Sequence, residues 1–267
     1  MGTSQSGSGP PSGVPLTPPW VPDPVPLPDQ DDDGQDNQPP TLAPTERFRP
    51  ARTSLGRFAR SGSADDMRHG IGYYISKGLG GSKAAVRRFA GTTRTARSLY
   101  GALSSVAAGQ PSAPGSPLDP TLLAGHSADE VIAAVVEAVR PVDGTQDTEA
   151  SRDAIRRALS ELLGRFPGSD LLSLSEDQRL FVIEHYLAKD VYNRIHLDVG
   201  KHIQDKAPSA IVALSRMGQI HDYVHETIAA HFRNLRRAGE SPSVRRIAQI
   251  ATQTLRETFE VFEEYVR

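Results

Sequence analysis

Four groups of residues have types and spacings that could do chemistry. The first is Met1-Gly2-Thr3-Ser4. Removal of Met1, expected because Gly2 is small, exposes an unhindered glycine amine. With a reference pKa of about 7.7–8.0, roughly a tenth of that amine is free nucleophile at neutral pH. The same start, with serine sixth, formally fits a myristoylation pattern. A single myristoyl chain holds a membrane only marginally without a basic patch, and the residues that follow here are uncharged and then acidic, which argues against a lipid anchor. The second group is Gly78-Leu79-Gly80-Gly81-Ser82-Lys83. It fails as a phosphate loop, because Ser82 stands where a glycine must precede the lysine. Two readings stay open for it: a helix break that allows close packing, which is preferred, and an anion or partner contact through free amides of Gly80, Gly81 and Ser82 with Lys83, Arg87 and Arg88.

The third group is a basic stripe. Lys83, Arg87, Arg88, Arg94 and Arg97 put several cations on one helical face, with Tyr73, Tyr74, Phe89 and Tyr100 interleaved. Such a stripe suits nucleic acid, an acidic protein surface, or the chain's own acidic tail; the last two are preferred because the whole chain is not basic. The fourth is His221 and His225, one helical turn apart. That spacing can chelate a metal, but no glutamate follows His221 as in a metalloprotease helix, so packed, hydrogen-bonded histidines are expected and no metal is assigned. Glu184-His185 on the preceding helix does not alter this without geometry. No Ser/His/Asp arrangement is readable, and no catalytic residue or cofactor is assigned.

These groups must be held by helices. Residues 1–45 are expected to form a disordered tail: 13 of the 21 prolines fall at or before Pro50, there is no lysine or arginine before Arg47, and the apolar content is too low to offset the entropy of ordering. Fully extended, this tail reaches about 130 Å at roughly 3.1 Å per residue. Trp20, the only tryptophan, sits in the Pro-rich run as a docking anchor or an incidental exposed aromatic. Residues 46–108 form a basic segment, with Arg47, Arg49, Arg52, Arg57 and Arg60 ahead of a first helix around Asp65–Lys77, then the glycine break, then a second helix capped by Ser82 and running to Val106. Residues 109–125 read as a Pro-rich linker. Residues 126–267 read as a helical bundle. Capping boxes open helices at Ser127–Glu130 and Ser175–Gln178. One later helix carries Ile211, Leu214, Met217, Val224, Ile228 and Phe232; the last starts at Ser241-Pro242. The fold class is all-α: an antiparallel bundle behind a long Pro-rich tail.

Charge follows the same divisions. Residues 1–44 carry −6, residues 45–100 carry +9, and the rest −5, for a net −2. The chain has no cysteine, which excludes disulfides, thiolate catalysis and Cys-ligated zinc. No apolar run approaches the roughly 18–20 residues of a membrane span, and the start lacks the features of a signal peptide. A cytoplasmic, non-membrane protein is expected.

Two stretches resemble a known family. Met1-Gly2-Thr3-Ser4-Gln5-Ser6 with Gly9-Pro10 and the Pro-rich run to Trp20, and Gly78-Leu79-Gly80-Gly81-Ser82 with Ala84, Ala85, Arg87 and Arg88, are similar to QatB, a component of the bacterial Qat anti-phage defence system. Together they cover the first third of the chain. The charged residues are accounted for by helix caps, solvated faces and the basic segment, so a non-enzymatic protein is expected, and the resemblance implies that it works beside an ATPase, a QueC-like enzyme (QatC-like) and a TatD-like nuclease. It implies that Gly2 accepts a 7-deazaguanine from the QueC-like partner, with Thr3 and Ser4 as recognition residues. The alternative is a scaffold or nucleic-acid-binding adaptor for the ATPase and nuclease.

Overall fold

A computed structural model of the protein describes residues 15–17, 42–110, 118–236 and 242–267. Among the described residues every regular element is helical and no strand forms. No described helix is long and apolar enough to cross a membrane. The all-α expectation holds.

The helices start where local chemistry satisfies their free amides. α1 (Arg49–Ser61) has Pro50 in its first turn and stops at Gly62, whose left-handed backbone lets its N–H reach the Phe58 carbonyl. α2 (Ala64–Tyr73) is capped by Ser63, with Asp65 and Asp66 against the positive end of the helix. It runs into a π-helical turn, Tyr74–Gly78. After the glycines come α3 (Ser82–Arg88), α4 (Ala90–Ala107) and the short α5 (Pro120–Leu123). α6 (Ala128–Val139) and α8 (Glu176–Ile195) both open on complete capping boxes, at Ser127–Glu130 and Ser175–Gln178. Each such cap is worth about 1 kcal/mol. Between them α7 (Gln146–Arg165) is capped by Thr145. α8 continues through a second π-helical turn, His196–Gly200, into α9 (Lys201–Lys206). α10 (Ala210–Arg236) and α11 (Val244–Glu264) complete the chain order.

The sequence reading needs four local corrections. Residues 49–61, expected only to precede the first helix, are themselves α1; Ala51, Leu55, Phe58 and Ala59 form its buried face. The expected helix from Ser82 to Val106 breaks at Phe89, whose ring is drawn into the core against Phe259, with centroids 5.1 Å apart. The cap of α11 is Ser243, not Ser241, so Pro242 lies just ahead of it. On α10 the buried face is Ala213, Met217, Ile220, Val224, Ile228 and Phe232, while Ile211 and Leu214 point to solvent.

α8 sits at the centre. It packs on α7, α10 and α4. α11 lies against α4 and α10 and also covers α2 and α3, while α1 packs on α2 and α9. One buried cluster runs from Phe48 through Phe262, so the basic segment and the C-terminal bundle share a core. Leu118 and Leu123, from the stretch read as a linker, are buried in it too.

Part of the Pro-rich tail also lies on this body. Pro15 forms an isolated antiparallel bridge with Leu42, and Leu16 and Ala43 are buried.

Candidate functional site

The glycine turn is shaped by what it must approach. Gly80 has φ +87°, a region that disfavours side chains, and an added Cβ would meet the Leu16 Cδ1 at 2.6 Å. At Gly78 the obstacle is the Phe48 ring, 2.5 Å from a built Cβ. The turn is therefore a close-packing site, and Leu16 from the tail is what fills it. Gly81, not Ser82, is the cap position of α3. The Ser82 amide, offered as an anion donor, points at the chain's own Glu263 carboxylate, 3.3 Å away. Lys83 and Arg87 are exposed. Arg88 is turned partly inward, where its charge acts on Tyr74, Asp198 and Arg47. The six residues thus divide: three line the turn, two face outward, and one serves a buried network.

That network joins the two π-helical turns. Tyr74 of the first donates its hydroxyl to Asp198 of the second at 2.8 Å. Burial pushes the Asp198 carboxyl up, opposed by the Arg88 guanidinium and then by the Tyr74 bond. Burial likewise pushes the Tyr74 hydroxyl well up, reinforced by Asp198. Arg47 is 4% exposed, lies over the Phe48 ring and has its affinity for a proton lowered by burial and by Arg88. A second buried set binds α4, α7 and α8: Thr92 donates to Asp190, and Arg194 reaches both Asp190 and Asp147. Asp190, Arg194 and the Asp198 carboxyl are buried and Asp147 closes the second set at the surface; their partners are other helices of the chain, so both sets organise the fold.

Two features at the surface of the described residues bear on function. One is a basic groove of about 740 Å³ along α1, lined by Arg49, Arg52, Arg57, Arg60, His202 and Lys206. Arg49 and Arg57 are neutralised in part by Glu46 and Asp66. This groove was missed in sequence, although Arg49, Arg52/Thr53, Gly56/Arg57 and Arg60 recur at helical spacing.

The other is an imidazole cluster between α8 and α10. His185 stacks on Phe181, with ring centroids 3.9 Å apart, and meets His225 at 4.6 Å. Its Nδ1 is 2.6 Å from Glu161 Oε2 on α7. That bond holds the Glu161 carboxyl below its ordinary value, against the effect of burial. His221 lies 3.1 Å from Asp222, and Tyr192 meets its ring edge-on at 5.0 Å. His225 is held below the ordinary histidine value by burial first and then by His185 and His221. The pairing expected from spacing, His221 with His225, is thus a packed one, with centroids 6.2 Å apart. The tighter convergence is His225 with Glu184 and His185.

A family model described as "QatB: Qat anti-phage system associated protein QatB" matches residues 80–262, well over half of the chain. The chain belongs to the QatB family. It is therefore a component of the Qat anti-phage defence system. Comparison with curated proteins and with solved structures gives no match.

The QatB match begins at Gly80 and takes in Gly81, Ser82, Lys83, Arg87, Arg88 and the whole imidazole cluster. It leaves out the tail. Gly2, Thr3, Ser4 and Trp20 lie outside both the match and the described residues.

Proposed function

We propose that this QatB-family chain is the acceptor protein of its defence system, and that the Gly2 amine is the group modified. A QueC-like partner activates the carboxylate of a 7-deazaguanine with ATP. The Gly2 nitrogen attacks the activated carboxyl carbon, an amide bond forms, the activating group leaves, and the amine gives up a proton. Thr3 and Ser4 are the residues the partner reads. The chain contributes a nucleophile and no catalytic machinery of its own.

The observation that supports this reading is the seat of Leu16 on Gly80. It puts a fixed point in the tail with residues 2–14 beyond it. Thirteen residues reach at most roughly 45 Å. That is far enough to enter a partner's site, and short enough to keep the amine close to the helical body. The test is an intact mass of the protein co-expressed with the QueC-like partner. A mass increase on the N-terminal peptide, lost in Gly2→Pro with the helical signal unchanged, is the expected result. An N-terminal peptide at its unmodified mass overturns the proposal.

A second reading, a nucleic-acid adaptor for the system's ATPase and nuclease, is favoured by the α1 groove. Its mark is duplex or single-strand binding that weakens steeply with salt and is lost in Arg60→Glu with Lys206→Glu.

A further inference from the structure

The imidazole cluster has a feature that packing alone does not explain. Glu184 is a buried carboxylate, 8% exposed, beside His185 on α8. His225, from α10, has its Nε2 buried with no hydrogen-bond partner. An orphaned buried nitrogen costs about 1–3 kcal/mol, so a native protein normally gives it something to bind. One ligand atom from each of Glu184, His185 and His225 lies within 4.8 Å of the others.

We propose that Glu184, His185 and His225 bind one divalent transition-metal ion of the zinc class. Two neutral imidazoles and a carboxylate are the donor set such an ion prefers, and three protein ligands leave its fourth position for water or another ligand. At metal–ligand distances of about 2.0–2.1 Å, tetrahedral ligand atoms sit about 3.3–3.4 Å apart. The three side chains therefore close by about an ångström and a half at most, within reach of rotamer adjustment. Glu161 completes the arrangement. With Nδ1 of His185 held by that carboxylate, Nε2 is the coordinating nitrogen, which is the carboxylate–imidazole–metal order found at zinc sites.

The neighbours fit an ion as well. Arg233 now faces Glu184 at 3.5 Å, but its side chain is 60% exposed, so it can yield its place without being stranded in the core. The His185 side chain keeps 15% exposure, which provides an entry path. His221 is not a ligand, because its nitrogens stand outside the group of ligand atoms that converge within 4.8 Å. An ion here joins α8 to α10 directly. It makes no use of the tail, so the site stands or falls apart from the acceptor chemistry.

The test uses the full chain, stripped with a chelator and titrated with Co²⁺ and Zn²⁺. Expected are one equivalent bound, visible absorption from cobalt in a low-coordinate site, and a melting temperature that rises with added zinc. His185→Gln and His225→Gln should each weaken binding at least a hundredfold, and Glu161→Gln ten- to a hundredfold. His221→Gln should bind as the parent does. Absence of binding at micromolar metal, or unchanged affinity in the His185/His225 double variant, overturns the proposal. Should the variants fail to fold, nitrogen-15 spectra of the parent decide. Zinc must shift two of the eight imidazoles, and a shift of the others instead overturns the site.

Discussion

Replacing Leu16 with alanine should release the tail from the body without unfolding the body. Leu16 is 8% exposed, and its Cδ1 occupies the space above Gly80. Truncation removes three buried carbons, about 2.4 kcal/mol at about 0.8 kcal/mol each. Against this stands the entropy of fixing residues 15–17, about 3–6 kcal/mol for three backbones, reduced where Pro15 is already restricted. The docked and released states therefore lie within a few kcal/mol of one another, and losing about 2.4 kcal/mol moves their ratio roughly fiftyfold. Trp20 is the only tryptophan and stands three residues beyond Thr17. Its fluorescence anisotropy should fall in Leu16→Ala, and the amides of Thr17 and Leu42 should exchange faster. The unfolding free energy of the body in urea should fall by less than about 1 kcal/mol. If anisotropy stays unchanged while the unfolding free energy falls by the full amount of about 2–3 kcal/mol, Leu16 belongs to the cooperative core and the separable seat is wrong.

Tyr74→Phe should destabilise the fold by about 1–3 kcal/mol in urea, since it leaves the buried Asp198 carboxyl without its donor; a neutral result would show that water or Arg88 replaces the hydroxyl. Gly78→Ala should cost about 1–3 kcal/mol by overpacking against Phe48, read as a lower melting temperature. The imidazoles of His196 and His202 are held below the ordinary histidine value, by burial first, then by Lys189 for His196 and by Lys206 and Arg52 for His202. The unfolded chain takes up protons near pH 6.5 that the folded chain refuses, so stability is full above about pH 6.5 and falls as the pH drops below it. Unfolding free energies from urea titrations at pH 7.5 and 5.5 check this; stability that rises on acidification refutes it.

What was legible in the sequence follows the range of the forces involved. Caps are local, and both capping boxes and the Gly78–Gly81 break stand where Ser127, Ser175 and the glycines put them. α1 is less legible because its buried face, Ala51, Leu55, Phe58 and Ala59, holds only two large apolar side chains and is interleaved with Arg49, Arg52, Arg57 and Arg60. The first turn of α10 misled for another reason. Ile211 and Leu214 fit a helical period, but the face that packs is set by α8 and α11, and it runs through Ala213 and Met217. The family resemblance rested on the tail and the glycine turn, whereas the family match spans residues 80–262 and so rests chiefly on the helical body. The imidazole cluster was half visible. Glu184-His185 and His225 could each be seen, but their meeting depends on the register between two helices forty residues apart, which no local pattern records.

The two π-helical turns have a consequence for how the chain tolerates length changes. In the first, the Leu79 amide bonds the Tyr74 carbonyl, five residues back instead of four, so the turn holds one residue more than an α-turn. Each turn is in effect an inserted residue taken up by the wider ring, so the inward-facing pattern of the sequence steps by one residue across it. Tyr74 and Asp198 sit one in each turn and bond across them. Removing a residue from Tyr74–Gly78 changes which residues face inward there, where Tyr74, Ile75 and Gly78 are buried and Gly78 lies against Phe48. Removing one from His196–Gly200 does the same to Asp198, Val199 and Gly200. The two insertions are thus bound together as a pair, and a single-residue deletion in either should be far more damaging than a point substitution at the same position.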